Sequence, residues 1–353
     1  MTVLKLGSLF DGIGVFPLAA MHCGMEPVWA SEIEARPISI TKRHFPDMLH
    51  LGDITKINGA EVPPVDVITF GSPCQDLSQI GTRNGFAGKK SSLFYQAMRI
   101  IEEMRYATNG RYPAFTVWEN VAGAFSSNDR LDFAAMLRAF TGAEVSVPPR
   151  GWAHAGMVRG GRADTVWRLL DAQYWGEPAL AQRRKRVFVV ADFAGQRAGE
   201  VLFKPRTVLP FSTISGPGGL SATQRGGVPA AQTGRQVPIV RPFSLRRMRT
   251  MAQVGDQKGF CASFGRGGEP FPTLLASVTA PFSFWYEGEE RDGFLRALTP
   301  LECERLMGLP ENWTKYGCKN EEISDHARYR ALGNSIALPC AEYVMAGIAE
   351  VMN

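Results

Sequence analysis

The chain has 353 residues, of which 45% are hydrophobic and 21% are charged, and its formal net charge is +5. This length and composition can bury a substantial core and accommodate two domains, and they exclude a chain that is disordered throughout. No segment approaches 18 uninterrupted apolar residues, and Asp11 interrupts the short apolar run near the amino terminus. We therefore expect a cytoplasmic protein with neither a signal peptide nor a membrane partner.

The first part of the chain alternates between strand-like and helix-like segments. Strands are predicted at residues 4–9, 28–31, 65–70 and 114–118, and helices at 16–23, 35–44 and 93–104. Such alternation is typical of a parallel sheet with helices on both faces. The predicted fold class is therefore α/β.

The pattern changes after residue 131. A helix is predicted at 131–140 and a loop at 141–163, and strand-like runs at 167–174 and 186–191 predict a hairpin-like antiparallel addition to the sheet. Between about 192 and 295 the alternation stops and Gly, Pro, Ser and Thr are frequent, which predicts a second, mostly irregular domain. Two helices are expected near the carboxyl end. The first spans 299–308 with Thr299 as its N-cap and Glu302 completing a capping box, and the second spans 336–351 and is opened by Asn334 and Ser335.

The basic residues are unevenly distributed. Residues 182–258 contain 14 Lys or Arg against three acids. A solvated cationic face would explain this excess, but the charges lie among Gly, Ser, Thr and Gln donors, which favours a nucleic-acid partner bound in a salt-sensitive way.

One cysteine stands in a loop directly after a predicted strand, in the sequence Gly71-Ser72-Pro73-Cys74-Gln75. Loops at the carboxyl ends of buried strands are where α/β enzymes place catalytic groups, and Pro73 stiffens the approach of the thiol. A single cysteine is more often a small buried apolar residue, so this position alone leaves both interpretations open. The six cysteines show no CxxC pair or zinc spacing, so neither a metal site nor a disulfide framework is expected.

A strand also runs into the glycine turn Phe10-Asp11-Gly12-Ile13-Gly14, and Glu32 follows 20 residues after Gly12. This is a nucleoside-binding layout that suits NAD as well as other nucleoside cofactors. A dinucleotide fingerprint requires its third glycine at position 17, where this chain has Pro17, so NAD is disfavoured.

Five motifs in one order resemble the DNA (cytosine-5) methyltransferase family over nearly the whole chain. They are Phe-x-Gly-x-Gly at 10–14, Pro-Cys-Gln at 73–75, Glu-Asn-Val at 119–121, Gln-x-Arg-x-Arg at 182–186 and Gly-Asn-Ser at 333–335. The resemblance implies a Rossmann-like S-adenosylmethionine-dependent methyltransferase domain with a mixed sheet at 1–191 and 325–353. It also implies a smaller, largely irregular target-recognition domain at 192–300, with 301–324 as a connecting helix and loop.

The resemblance implies a reaction at cytosine. Cys74 would add to carbon 6 of a flipped-out base, and Glu119 would contact the N3 atom and the exocyclic amine and donate a proton. Arg186 or Arg184 would lie close to the sulfur and favour the thiolate, and Asn120 would hold the backbone of its turn.

The resemblance also implies that S-adenosylmethionine is the cofactor. The glycine turn would lie under the methionine end, Glu32 would bind the ribose, Asp53 would bind the adenine amine, and Gly-Asn-Ser would close the pocket. The predicted cofactor-binding residues are Phe10, Gly12, Gly14, Glu32, Ile33, Asp53, Ile54, Pro73, Leu93, Asn334, Ser335 and Ile336. Family members commonly have Gly where Val15 stands, which could alter packing around the methionine tail.

The resemblance implies double-stranded DNA as the partner. The protein is expected to be a monomer, and a cognate restriction endonuclease is a further possible partner. The glycine-rich residues 75–90 would form a lid, or would simply be a mobile surface loop. The predicted DNA-binding residues are Gln75, Ser78, Arg246, Arg249, Thr273 and Leu274.

The chain departs from the family pattern at one point, and two alternative functions remain open. Family members often run from Gly-x-Pro straight into Gln-x-Arg, whereas Ala179-Leu180-Ala181 intervenes here. The extra residues could be absorbed in a surface turn or could displace Arg184 and Arg186. The alternatives are a cytosine-5 methyltransferase that acts on tRNA, which would need little recognition domain, and a catalytically silent DNA-binding relative, which would have a broken Pro-Cys or Glu-Asn-Val motif.

Overall fold

The computed structural model describes residues 3–72, 93–203, 239–242, 270–271, 273–274, 282–286 and 294–353. The strands described are β1 Lys5–Leu9, β2 Glu26–Ser31, β3 Leu49–His50, β4 Val67–Phe70, β5 Phe115–Val121, β6 Ala155–Arg159, β7 Asp164–Asp171, β8 Lys185–Asp192, β9 Ile239–Pro242, β10 Phe282–Tyr286 and β11 Phe294–Ala297. The α-helices described are α1 Val15–His22, α2 Ala35–His44, α3 Leu93–Ala107, α4 Leu131–Thr141, α5 Ala198–Leu202, α6 Pro300–Leu306, α7 Asp325–Asn334 and α8 Leu338–Met352.

Eight strands form one mixed sheet in the order β3-β2-β1-β4-β5-β8-β7-β6. The pairs from β3 to β5 are parallel, and β8, β7 and β6 are added to β5 in antiparallel fashion. Strands β9, β10 and β11 form a separate antiparallel sheet. The α/β class, the mixed sheet and the antiparallel addition are confirmed.

Residues of the central strands alternate between two apolar clusters, one on each face of the large sheet. On β8, Phe188 and Val190 enter one cluster, whereas Val187 and Val189 enter the other. Helices α1, α5 and α8 cover the first face, and α3 and α4 cover the second. Because both faces are buried, these strands appear in the sequence as nearly continuous apolar runs.

Several predicted boundaries agree with the structure. Helix α2 spans the predicted residues, and α3 and α4 begin at the predicted residues. The capping box at α6 is present: Oγ1 of Thr299 accepts from the Glu302 backbone N–H at 3.3 Å, and Oε2 of Glu302 accepts from the Thr299 N–H at 2.8 Å.

The predicted last helix is wrong at its start. Asn334 is the final residue of α7 and Ser335 is its C-cap, and a new helix begins only at Leu338. Pro339 lies in the first turn of α8, where its missing N–H costs nothing, and this favours a separate start there.

Two strand predictions also need correction. The predicted loop 141–163 contains β6, an edge strand whose half-exposed residues give no apolar run. The predicted strand 114–118 continues to Val121, because β8 pairs with it as far as the Val121–Arg186 pair.

The insertion Ala179-Leu180-Ala181 is only partly absorbed in a surface turn, because Ala179 alone belongs to an exposed turn. Leu180 and Ala181 are buried in the core cluster that contains α1 and α8. The backbone N–H of Leu180 donates to the carbonyl of Trp175 at 3.0 Å, and the carbonyl of Ala181 accepts from the N–H of Phe271 at 2.7 Å. Two of the three extra residues, Leu180 and Ala181, are therefore part of the packed structure.

Residues 301–324, predicted as a connecting segment, contribute Met307 and Trp313 to the same core cluster. Among the described residues, no single helix is long and apolar enough to cross a membrane, although α7 and α8, bent by 43°, would meet that test as a pair by length and composition. Within this part of the chain, no three His, Cys, Asp or Glu side chains are grouped to hold a metal ion.

Candidate active site

The parallel strands β1, β2, β4 and β5 end at one edge of the sheet, which gathers residues distant in the sequence. Phe10 follows β1, Glu32 follows β2, Gly71 follows β4, and Glu119 lies near the end of β5. In open α/β sheets, ligands bind at this edge.

Residues of β5 fix the chain where it leaves β4. The indole N–H of Trp118 donates to Oγ of Ser72 at 3.1 Å, and Nδ2 of Asn120 donates to the Ser72 carbonyl at 3.0 Å. The Asn120 side-chain oxygen accepts from the Val121 N–H at 2.9 Å. Asn120 therefore holds the backbone at Ser72 and at Val121, in agreement with the prediction that it holds the backbone of its turn. Ser72 precedes Cys74 by two residues in the sequence.

Glu119 and Arg186 meet because of the sheet register. Val121 pairs with Arg186 and Glu119 with Phe188, so Arg186 is the diagonal neighbour of Glu119 on the same face. Nε of Arg186 lies 2.9 Å from Oε1 of Glu119, and the two side chains are 14% and 12% exposed. The N–H is not aligned on that oxygen, so Oε1 keeps its capacity to bond another group.

Burial dominates the electrostatics of Glu119. Burial raises the pKa of Glu119 above its ordinary value, and the charges of Arg186 and Arg184 offset only part of this rise. A Cβ on Gly71 would lie 3.3 Å from Oε2 of Glu119, so the carboxyl group packs directly against the end of β4. The Glu119 carboxyl group therefore lies at the edge of the sheet where β4 and β5 end.

Arg184 is fully buried and connects three separate segments. Its guanidinium donates to the carbonyls of Leu274 at 2.9 Å and of Gly333 at 2.8 Å, and also to the carbonyl of Ser335. Its backbone N–H donates to Oδ1 of Asp171 at 3.0 Å. These contacts make Arg184 a positioning residue, in contrast to Arg186, whose guanidinium faces Glu119.

The Thr-Leu element packs on the same segment. Oγ1 of Thr273 donates to the Arg183 carbonyl at 2.7 Å, and the Arg183 N–H donates to the carbonyl of Phe271 at 2.7 Å. The side chain of Leu274 is buried in the core, so it contributes packing here. Pro73, Cys74, Gln75, Ser78, Arg246 and Arg249 lie outside the described residues.

The glycine turn has an unusual backbone. Phe10, Gly12 and Gly14 have φ values of 54°, 59° and 77°, and the left-handed conformation is uncommon for a residue with a side chain such as Phe10. Oε2 of Glu32 accepts from the Gly12 N–H at 2.9 Å, while Oε1 accepts from the N–H groups of Ile33 at 2.7 Å and Glu34 at 2.9 Å. Glu32 thus fixes the turn and its own loop.

Two glycine turns flank the end of β2. The Asp11 N–H donates to the Ser31 carbonyl at 3.0 Å, and the Ser31 hydroxyl donates to the carbonyl of Gly52 at 2.7 Å. A Cβ built on Gly12 or on Gly52 would meet nothing within 4 Å. Open space therefore borders both turns, and acidic side chains border that space, which fits a cationic nucleoside such as S-adenosylmethionine.

The other predicted cofactor residues, Asp53, Ile33, Ile54 and Leu93, differ from one another in exposure and hydrogen bonding. Oδ1 of Asp53 accepts from the backbone N–H and the hydroxyl of Thr55, and this hydrogen bonding lowers the pKa of Asp53. The side chain of Ile33 is 74% exposed at the end of β2, whereas Ile54 is buried in the core and offers its backbone. Leu93 opens α3 and is half-buried.

The segment at 334–336 lies beyond the end of α7. Asn334 is exposed, Ser335 is half-buried, and Ile336 is buried in the core. The carbonyl of Ser335 is held by Arg184, so the position of this segment depends on the Gln-x-Arg-x-Arg motif.

A model of the C-5 cytosine-specific DNA methylase family matches residues 4–205 and 245–350. The chain belongs to this family. Its activity is DNA cytosine-5 methylation, and among its relatives are type II methyltransferases of restriction-modification systems.

Individual relatives are distant but align over nearly the whole chain. M.HhaI of Haemophilus parahaemolyticus, a type II methyltransferase, is 23% identical over 100% of this chain and 96% of its own length. M1.ScrFI of Lactococcus lactis subsp. cremoris is 26% identical over 99% of this chain and 78% of its own. A protein of Escherichia phage P1, named DNA N-6-adenine-methyltransferase, is 24% identical over 98% of this chain. The aligned part covers only 61% of the phage protein.

Solved structures share the fold of this cytosine-5 methyltransferase. The Dnmt2 methyltransferase of S. pombe matches with a TM-score of 0.60 and 16% identity, covering 99% of both chains. The methyltransferase EhMeth of Entamoeba histolytica matches with a TM-score of 0.58 and 13% identity, covering 100% of both.

Sequence reasoning missed Trp313 as a support of the glycine turn at residues 10–14. Its indole N–H donates to the carbonyl of Ile13 at 2.8 Å, and its ring stacks on His44 with 3.5 Å between centroids. The two bonded residues are 300 positions apart, so no local pattern could have indicated the contact.

The basic segment also differs from a simple cationic face. Arg184 is buried, Arg186 pairs with Glu119, and Arg197 lies 3.2 Å from a carboxylate oxygen of Asp192. Arg183 and Lys185 are exposed between them. In the described part of the segment, the alternating basic residues therefore divide between the interior and the surface.

Proposed function

We propose that the protein transfers a methyl group from S-adenosylmethionine to carbon 5 of a flipped-out cytosine in a short, specific duplex DNA sequence, through a covalent Cys74–C6 adduct. The observation that carries this proposal is the buried Glu119 carboxyl group. Its pKa is raised, and it lies beside Arg186 near the end of β5, the strand that pairs with β4, after which Cys74 follows in the sequence.

The chemistry assigns a separate task to each side chain. The Cys74 thiolate forms a bond to carbon 6 while Glu119 donates its proton toward N3, so that negative charge does not accumulate on the ring. Carbon 5 then carries the electron pair that attacks. The bound cofactor supplies an electrophilic methyl group on a sulfonium. Loss of the carbon 5 proton to a base and departure of the thiolate from carbon 6 release the methylated base.

Arg186 is proposed to act on both acid groups. Its charge opposes the burial that raises the pKa of Glu119, and a guanidinium near the sulfur would favour the Cys74 thiolate. Ser72 is held by Trp118 and Asn120, and Cys74 follows it by two residues in the sequence.

For the cofactor, we propose that Glu32 uses its remaining acceptor capacity for the ribose and that Asp53 accepts from the adenine amine. Exposed Ile33 would cover the adenine ring, and Phe10, Gly12 and Gly14 would line the methionine end. Pro73, Leu93 and the segment from Asn334 to Ile336 would complete the pocket.

For DNA, we propose that residues 192–300 form the recognition domain and that Arg246 and Arg249 contact phosphates or guanine edges. Gln75 and Ser78 would contact phosphate or the vacated base position, and Thr273 and Leu274 would anchor the recognition domain to the Gln-x-Arg-x-Arg segment. We further propose that residues 1–191 and 325–353 form the catalytic domain, that the protein acts as a cytoplasmic monomer, and that its cognate partner is a restriction endonuclease.

The test is expression of the wild-type chain and of Cys74→Ser in cells whose DNA lacks methylated bases. Nucleoside mass spectrometry and base-resolution sequencing should find 5-methylcytosine in one short motif, and this signal should vanish in the variant. Methylcytosine only in tRNA would favour the RNA alternative, and N6-methyladenine would favour the activity named for the phage P1 relative. Either outcome, or no methylation with folded protein, would reject the proposal.

A further inference from the structure

A buried ion pair lies outside the candidate active site, between helices α6 and α7. The side chain of Glu304 on α6 is 0% exposed, and that of Arg328 on α7 is 7% exposed. Nη2 of Arg328 donates to Oε1 of Glu304 at 3.0 Å, and Nε of Arg328 donates to the Thr314 hydroxyl at 3.0 Å. The pair therefore joins two helices in the interior of the protein.

The same carboxylate fixes the backbone of the loop between the two helices. Its Oε2 accepts from the Asn312 N–H at 2.8 Å, and its Oε1 accepts from the Thr314 N–H at 2.9 Å and from the Thr314 hydroxyl. These two N–H groups flank Trp313 in the sequence. Asn312 has a φ of 61°, a left-handed conformation that is uncommon for a residue with a side chain. Glu304 therefore sets the course of the backbone at Trp313.

Trp313 and Arg328 lead to two separate parts of the proposed cofactor pocket. The Trp313 indole holds the carbonyl of Ile13 in the glycine turn, and the Trp313 carbonyl accepts from Nε2 of His44 at 2.8 Å. Arg328 lies on α7, which ends at Asn334, where the segment proposed to complete the pocket begins. One ion pair thus connects the glycine turn near the start of the chain with a segment near its end.

Stability alone does not account for a buried pair of this kind. Burying two charges costs much of the free energy that their attraction returns, and apolar side chains of similar volume often serve stability as well or better. Apolar side chains cannot supply direction, however. Glu304 accepts four hydrogen bonds, from the Asn312 N–H, the Thr314 N–H and hydroxyl, and Arg328. These bonds fix the loop relative to α6 and α7.

We propose that Glu304 and Arg328 are positioning residues for cofactor binding. Their ion pair fixes the glycine turn through Trp313 and the segment that follows Asn334 through α7. This inference rests on the proposed function, in which both segments bind S-adenosylmethionine. Neither charged residue touches the ligand. The pair holds the two segments in their binding geometry in advance, so that less ordering is required when the cofactor binds.

The test is Glu304→Gln, which keeps the size of the side chain but replaces an acceptor oxygen by an N–H₂ donor and removes the charge. Calorimetric titration should show that S-adenosylmethionine and S-adenosylhomocysteine bind more weakly by the same factor, about 3- to 30-fold. The rate of single-turnover methyl transfer at saturating cofactor should stay at the wild-type value, because Glu304 does not touch the reacting atoms. If this variant fails to fold, Arg328→Lys keeps the charge and should show a smaller loss of affinity.

Two controls separate positioning from a general loss of stability. Glu311→Gln makes the same chemical change in the same loop, on a side chain that is 56% exposed and pairs with Arg305, and it should leave both affinities unchanged. Leu137→Ala removes a fully buried side chain of α4 from the cluster on the other face of the sheet. It should lower the midpoint of thermal unfolding, yet bind both ligands normally at temperatures where it is folded.

The outcomes distinguish this inference from the proposed function. Wild-type affinity in folded Glu304→Gln, or in Arg328→Lys if that variant replaces it, would overturn the inference. An equal loss of affinity in Leu137→Ala would also overturn it, because affinity would then simply follow stability. A wild-type protein that binds neither S-adenosylmethionine nor S-adenosylhomocysteine would instead overturn the proposed cofactor.

Discussion

Two buried acids at the same edge of the sheet, Glu119 and Asp11, differ in the charged groups that adjoin them. Glu119 has Arg186 at 2.9 Å, whereas Asp11 faces the hydroxyls of Ser8 and Thr41 and the carboxylate of Glu32. Burial raises the pKa of both. Burial alone therefore does not define the environment of an acid, because a cation adjoins Glu119 whereas a second carboxylate adjoins Asp11.

The largest expected effect comes from removing the acid of the paired site. Glu119→Gln keeps the shape of the side chain but has no carboxyl proton to donate, so turnover should fall by about 10²- to 10⁴-fold. Binding of S-adenosylmethionine should not change, because Glu119 lies away from the glycine turn. Single-turnover methyl transfer and calorimetry measure the two quantities, and near-normal turnover would exclude Glu119 as the proton donor.

Neutralising the second acid should change how stability depends on pH. The unfolded pKa of Asp is about 3.9, and that of folded Asp11 is about 7. Between these values the unfolded chain releases a proton that the folded chain retains, so stability falls as pH rises through this window. Asp11→Asn should remove this decline, which amounts to at most about 4 kcal/mol at 1.36 kcal/mol per pKa unit.

Urea unfolding of the cofactor-free protein at pH 4 to 8 tests this prediction, and the difference between wild type and variant isolates Asp11 from other titrating groups. Parallel curves for the two proteins would show that Asp11 is not held in a buried state that raises its pKa.

Removing the cation of Glu119 would make the two acids alike. In Arg186→Ala the pKa of Glu119 should rise further, and the pH at which Cys74 becomes alkylated should rise by roughly one unit or more, because both groups lose a positive neighbour. Arg186→Lys retains the charge and should shift less. Iodoacetamide labelling of Cys74 against pH measures the effect, and an unshifted profile would place Arg186 away from the sulfur.

The smallest effect is expected at the support of the turn that carries Asp11. Trp313→Phe keeps an aromatic ring on His44 but leaves the Ile13 carbonyl without its donor, at a cost of about 1–2 kcal/mol. Thermal unfolding should show the loss, and affinity for S-adenosylmethionine should fall slightly. A stable variant with unchanged affinity would mean that the turn holds its shape without Trp313.

The sequence predicts the parts of the fold that depend on local patterns. Apolar runs indicate β1, β4 and β8 because both faces of the sheet are covered, and Thr299 with Glu302 indicates the start of α6. It fails at β6, an edge strand with no apolar run, and at Ser335, where the chain stops between two helices.

The candidate site divides in the same way. Motifs name Glu119, Asn120 and Arg186, but the contact between Glu119 and Arg186 depends on the register of β5 with β8, which no spacing reveals. Arg184 belongs to the same motif as Arg186, yet its guanidinium is buried in the interior, where two segments present the carbonyls of Leu274, Gly333 and Ser335. The burial of Asp11 beside Glu32 is likewise apparent only from the folded structure.

The contact between Trp313 and Ile13 also has a consequence for synthesis on the ribosome. With 300 positions between the two residues, translation at about 5–20 residues per second takes roughly 15–60 s to supply the indole that holds the turn. A nascent chain stopped before residue 313 therefore contains the glycine turn, the Glu-Asn-Val corner and the Gln-x-Arg-x-Arg segment without this clamp. The hydrogen bond that fixes the Ile13 carbonyl therefore forms late, after most of the polypeptide has been synthesised.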